Sequence, residues 1–210
     1  MPFLKQEHEY LETSLWYREE ITDPNQVIAE FFSHADVASH RKVILDTIKA
    51  ACSDYISNKK NPGDVLFDFK ILESVINAAF LLNKEKRKSP LSINKDNLFD
   101  PNLYCGWHAG LTEWDFFPRM LSLKEYINPY LVFKRFFKYL KLAEWKRELQ
   151  DLVDHALSRT SLWESGIDFD TLPIYLHLTK LVEAAHLIDV REITHIGGHL
   201  KNRLKERPRY

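Results

Sequence analysis

The chain has 210 residues, 45% hydrophobic and 13% aromatic, with a net charge of −1 and two cysteines, Cys52 and Cys105. It can bury a sizeable core, which excludes wholesale disorder, and no global field draws it to nucleic acid or membrane. Two cysteines without zinc spacing exclude a disulfide framework and leave a reducing cytoplasm as the expected location.

Charge is spread unevenly. Residues 1–36 hold eight acidic side chains against two basic ones, whereas 201–210 hold five basic against one acidic. Such asymmetry points to polar partners at either end, or to the two ends meeting. The opening MPFLKQEHEY lacks a basic flank followed by an apolar run, so it does not read as a signal peptide.

Leu4, His8, Leu11 and Leu15 recur at helical spacing and predict a first helix near 3–19. Asp23-Pro24 starts the next, because Asp caps and Pro is tolerated at the first helical position. Val27, Ile28, Phe31 and Phe32 form its apolar face. A bend is expected near His34 to Asp36, after which Val37, Ile44, Ile48, Ala51 and Tyr55 carry the stripe to about Asn58. Glu30/His34 and Asp36/His40, like Asp151/His155 further on, stand four apart and predict ordinary local ion pairs.

Asn61-Pro62-Gly63-Asp64 is turn chemistry that opens a helix running to about Lys84. Leu66, Phe69, Leu72, Val75, Ile76, Ala79, Phe80 and Leu82 cover a wide arc of it. Its polar strip is mainly Lys70, Ser74 and Asn77, so it belongs in the middle of a bundle. Even its longest apolar run, Val75 to Leu82, is far short of the ~20 residues that span a bilayer, and no membrane partner is expected.

Between Lys86 and Ser122 the helical pattern stops. Cys105, Gly106, Trp107, His108, Gly110, Glu113, Trp114, Asp115, Phe116 and Phe117 fall within thirteen positions. A long connection inside a compact helical fold is usually functional or packed down as a lid. Cys105 and His108 have the separation of a nucleophile pair or of two metal ligands, with Glu113 or Asp115 to orient them. Against this, Cys-x-x-His is common by chance. The plainer reading has the aromatic residues pin the loop over the helices, with Cys105 a small buried hydrophobe. Cys105, Trp107, His108, Glu113, Trp114 and Asp115 are the candidate ligand- or partner-binding set.

Asn128-Pro129, or Ser122 with Glu125 at capping-box spacing, starts a long helix to about Ser158. Lys134, Lys138 and Lys141 form a stripe on it, with Arg135, Lys146 and Arg147 nearby and Phe133, Phe136, Phe137, Leu140 and Trp145 interleaved. Basic residues among aromatics can bind nucleic acid, but the ordinary reading is an amphipathic helix with solvated lysines. A loop at 161–169 holds Gly166. Asp170 or Thr171 caps a helix from about Leu172 to Leu187, and after Asp189 a shorter, Gly-interrupted helix leads towards Glu206. No segment alternates convincingly with a strand's period of two.

Glu183-Ala-Ala-His186 and Glu192-Ile-Thr-His195 are both Glu-x-x-His, the spacing that di-iron carboxylate bundles use in duplicate. On one straight helix the two pairs would face opposite sides, so only a sharp bend near Asp189 would unite them around a transition metal. Glu183, His186, Glu192 and His195 are the metal candidates on that condition, and no other cofactor is predicted. Lys201, Arg203, Lys205, Arg207 and Arg209 alternate along a flexible basic tail at about 200–210. They fit an arm on nucleic-acid phosphates, or an ordinary solvated terminus.

These features predict a single all-α domain over 1–210: an irregular or orthogonal bundle of about six to seven helices with one long aromatic-rich connection. No catalytic signature stands out. The expected function is a non-enzymatic intracellular protein that binds a protein partner or small ligand through 103–118. The alternatives are a nucleic-acid regulator using the tail and a metal-dependent enzyme using the Glu/His pairs.

Overall fold

A computed structural model describes residues 11–13, 19–53, 61–85, 113–166 and 169–200, with the backbone alone at Glu113 and Leu200. Its described residues form eight helices, two of them single turns, and one minimal hairpin. They are α1 Pro24–His34, α2 Val37–Ala51, α3 Pro62–Lys84, α4 Glu113–Phe116, α5 Leu123–Ile127, α6 Tyr130–Tyr139, α7 Leu142–Ala156 and α8 Thr171–Arg191, followed by β1 His195–Ile196 and β2 His199–Leu200. This is the expected all-α bundle.

The helix starts follow the local chemistry. Asp23 accepts from the Asn25 N–H ahead of Pro24. Asp36 accepts from the Ser39 N–H and so turns the expected bend into a boundary between α1 and α2. Asn61 accepts from the Gly63 N–H at the start of α3. Each side chain satisfies a backbone donor that the first turn leaves without a partner.

Two apolar helices form the centre. α3 packs against α1, α6 and α7, while α8 packs against α1, α2 and α6. Ile76, Ala79 and Leu82 of α3, with Leu178, Leu181 and Val182 of α8, lie among the most buried side chains. A helix that is apolar on most faces needs neighbours on most faces, which places both centrally. Trp145 of α7 is fully buried, stacked on Phe136 at 3.9 Å, with its indole N–H donating to the Phe136 carbonyl.

Three expectations change. Residues 11–13 and 19–21 are not helical: they pair antiparallel, with the Ile21 N–H on the Leu11 carbonyl and the Thr13 N–H on the Glu19 carbonyl. Leu4, His8 and Leu15 of the helix expected near 3–19 lie outside the described residues, and at Glu12 the Asn77 side chain adds to the pairing by donating to the carbonyl. The expected helix 129–158 is interrupted at Leu140, whose backbone is extended at φ −132° and ψ 147°. Glu144 then caps the new start by accepting from the Lys141 N–H at 2.6 Å. Finally, the described residues after Asp189, which end at Leu200, show no Gly-interrupted helix. α8 runs on to Arg191, and Gly197 and Gly198, at φ +54° and +79°, reverse the chain between β1 and β2. Positive φ at both central residues is the type I′ geometry that suits a two-residue hairpin. Among the described residues no helix is long and apolar enough to cross a membrane.

Candidate functional site

Of the candidate binding set, Cys105, Trp107 and His108 lie outside the described residues, and the Glu113 side chain does too. Trp114 and Asp115 are described, and they begin a segment, 113–127, that is fixed by two buried carboxylates.

The first carboxylate is Glu183, fully buried on α8. Its Oε1 accepts from Arg41 Nη1 at 2.9 Å and from the Arg119 N–H at 2.8 Å; its Oε2 accepts from the Met120 N–H at 2.8 Å. Arg41, on the buried face of α2, also donates to the carbonyls of Phe117, at 3.0 Å, and Asp115. One ion pair therefore spends its remaining hydrogen-bonding capacity on the backbone of 115–120. That is how a buried charge avoids the desolvation cost of standing unpaired. Arg119 adds a surface pair to Asp115 at 3.1 Å.

The second is Glu125, also fully buried. It closes the capping box of α5 by accepting from the Ser122 N–H, at 2.8 Å. It also accepts from Arg135 at 2.6 Å and Lys180 at 3.1 Å. Burial alone would raise its carboxyl, but the hydrogen bonds from Ser122, Lys180 and Arg135 outweigh that and hold it at about 2. Beside it, Arg191 donates to the Tyr126 carbonyl and lies 4.3 Å over the Tyr126 ring.

Between these anchors two large apolar side chains stand in solvent, among exposed Arg119, Ser122 and Lys124. Trp114 is 69% exposed and Leu123 59% exposed, although each sits on a short helix with fixed backbone. Trp114 meets Phe117 edge-on at 6.3 Å, and Phe117 packs on Tyr126 at 5.6 Å, so the outer aromatic rests on a ladder into the core.

The four metal candidates are not brought together. Glu183 has both oxygens engaged as above. His186 is buried on the same helix with its ring 5.1 Å from Phe32. Glu192 follows the end of α8 and accepts from the Tyr130 hydroxyl at 2.6 Å. His195 is exposed in β1, bonded through Nδ1 to the Thr194 hydroxyl at 2.8 Å. Among the described residues no group of three His, Cys, Asp or Glu is disposed to hold a metal ion. Glu192 and His195 instead line a cleft of about 280 Å³ with Asp23, Asn25, Gln26, Ile193 and Thr194. Gln26, one of its lining residues, ties the hairpin to α1 by donating to the His195 carbonyl and accepting from the Gly197 N–H.

The pairs of spacing four resolve differently. His40 shares a hydrogen bond with the Phe31 carbonyl at 3.2 Å and stacks on the Phe31 ring, while burial pushes its pKa down to about 4. His155 bonds the Asp151 carbonyl rather than its carboxylate, and its other nitrogen meets Ser165. The basic tail, Lys201 to Arg209, lies outside the described residues.

Arg41, Arg119 and Lys180 organise this site, and the composition of the aromatic loop gave no hint of them. Arg41 did carry a signal. It stands four after Val37 and three before Ile44, on the apolar stripe of α2, where an arginine requires a buried anion. Glu183 sits likewise inside the apolar run of α8. Compared with family models, curated proteins and solved structures, the chain has no match.

Proposed function

We propose that the protein is a non-enzymatic binding module that presents the 113–127 segment to a protein partner, with Trp114 and Leu123 as anchors. The observation that carries this reading is the combination of exposure with fixation. Trp114 is 69% exposed on a backbone that Arg41 and Glu183 hold from beneath. Exposed aromatics are the residues that most often dominate interface energy, and a segment already ordered loses little entropy on docking. Lys124 is exposed next to Leu123, whereas Arg119 is paired with Asp115, so an acidic group on the partner beside its apolar pocket would meet Lys124.

The test is quantitative capture from the native source with the full chain as bait. Trp114→Ala with Leu123→Ala is compared against Trp163→Ala, which removes a tryptophan of similar exposure, 65%, from the 161–166 turn. A partner retained by wild type and Trp163→Ala and lost with the double variant supports the reading. Equal capture by all three baits overturns it.

A further inference from the structure

We propose that the solvent face of α6 and the start of α7 binds single-stranded nucleic acid, with Lys134, Lys138 and Lys141 holding phosphates and Tyr139 stacking on a base. From Tyr126 to Ala143 the chain contains four basic residues and no acidic one. Val132, Phe133 and Phe136 turn into the core, which leaves Lys134, Arg135, Lys138 and Tyr139 outward and Lys141 exposed just past the break. Residues 134 and 138, and 135 and 139, are each one helical turn apart, so the charges and the ring share one surface.

The cations are available. Arg135 pairs with Glu125, but Lys134, Lys138 and Lys141 have no ion-pair partner among the described residues. Of the carboxylates around the patch, Glu125 is engaged with Arg135 and Lys180 and Glu144 with the Lys141 N–H, while Glu148, paired to Arg147, and Asp170 lie on the Tyr139 side. The break at Leu140 matters here, because it carries Lys141 out of the α6 spiral while keeping it on the exposed side.

Tyr139 distinguishes the ligand. Its ring is stacked on His177, 4.5 Å between centroids at 20°, yet it remains 39% exposed. A ring held flat from below and open to solvent is a platform on which any base can stack, and cations beside such a platform are how sequence-tolerant single-strand sites are built. A lipid surface fits less well. The larger aliphatic side chains of the stretch, Ile127, Leu131, Val132, Leu140 and Leu142, are buried or half-buried and offer nothing to insert.

The experiment is fluorescence anisotropy of the full chain with a labelled oligothymidylate of about 20 nucleotides, longer than the site such a surface covers. Between about 50 and 200 mM salt the wild type is expected to bind saturably, with a log–log salt slope of about −2 to −3 for three or four neutralised phosphates. Lys134→Gln with Lys138→Gln and Lys141→Gln should weaken binding at least about tenfold and flatten that slope. Tyr139→Ala should weaken it by about tenfold and leave the slope unchanged. A chain with Lys201, Arg203, Lys205, Arg207 and Arg209 all changed to Gln should keep the Tyr139 dependence. Circular dichroism checks that each variant is folded. The proposal is overturned if the wild type shows no saturable binding at the lower salt, if the triple variant binds as well as wild type, or if the tail substitutions alone abolish binding. Binding to anionic phosphatidylserine vesicles without binding to the oligonucleotide also overturns it.

Discussion

Glu183 shows how one side chain can decide the position of a whole segment. Its two oxygens accept three N–H groups, two from backbone and one from Arg41. In Glu183→Gln one oxygen becomes a donor and faces donors, while the Arg41 guanidinium stays buried with carbonyls alone. Breaking a buried pair from one side typically costs 3–5 kcal/mol, so a loss of at least about 3 kcal/mol is expected by urea unfolding. Adding Arg41→Met removes the stranded charge and should restore part of that loss. A single-variant loss under about 1 kcal/mol would mean that water solvates the pair and that it does not fix 115–120. At this scale the sequence was partly legible. The Ser122–Glu125 capping box followed from a spacing of three, because both partners are local. The same Glu125 as an anion for Lys180 did not, because Lys180 lies 55 residues away.

Among the elements, helix starts read well and helix continuations read poorly. Asp23 and Asn61 act within two residues of themselves, so those two starts were visible in the sequence, while Asp36 was expected only at a bend and in a pair with His40. The end of α6 at Leu140 was not, because its apolar pattern runs on without a Gly or Pro to stop it, and the stacking of Phe136 on Trp145 across the break joins residues nine apart. The hairpin after α8 was missed for a related reason. Glycines weaken a helix, but only their positive φ here reveals a turn. At Gly197 a Cβ would meet nothing within 4 Å, so any cost of substitution is conformational rather than steric. Gly197→Val should therefore destabilise the hairpin by about 1–2 kcal/mol, the penalty of left-handed backbone for a branched residue. Gly197→Asn should be nearly silent, since Asn tolerates that region. Hydrogen exchange at the β1 and β2 amides reads both, and equal protection in all three chains would show that the turn does not need its glycine.

For the whole molecule, His40 and Glu125 tie stability to pH in the same direction, and His177, lowered by burial and by Lys180 beside it, adds to the His40 window. His40 is held near 4 against an ordinary 6.5, so between these values the unfolded chain takes up a proton that the fold refuses, and stability falls as pH drops from about 6.5 to 4. Glu125 is held near 2 against an ordinary 4.5; its stabilisation is complete above 4.5 and is lost as pH falls towards 2. The His40 window alone is worth up to about 3 kcal/mol at roughly 1.4 kcal/mol per unit. Urea midpoints should decline from pH 7 downward, and His40→Gln should flatten the upper window while leaving the lower one. An unchanged upper slope in that variant would assign the effect elsewhere. The all-helical class was legible from periodicity over most of the chain, whereas the clamp that fixes 115–120 was not, because it joins parts of the chain that only the finished bundle brings together. Arg41 lies 74 residues from Asp115, and Glu183 lies 64 residues from Arg119. Closing such spans costs chain entropy before any contact returns it. The ion pair therefore closes after α2 and α8 have met, which makes it a latch on unfolding rather than a nucleus of folding. Loosening it speeds the escape from the native state and leaves the rate of reaching it almost untouched.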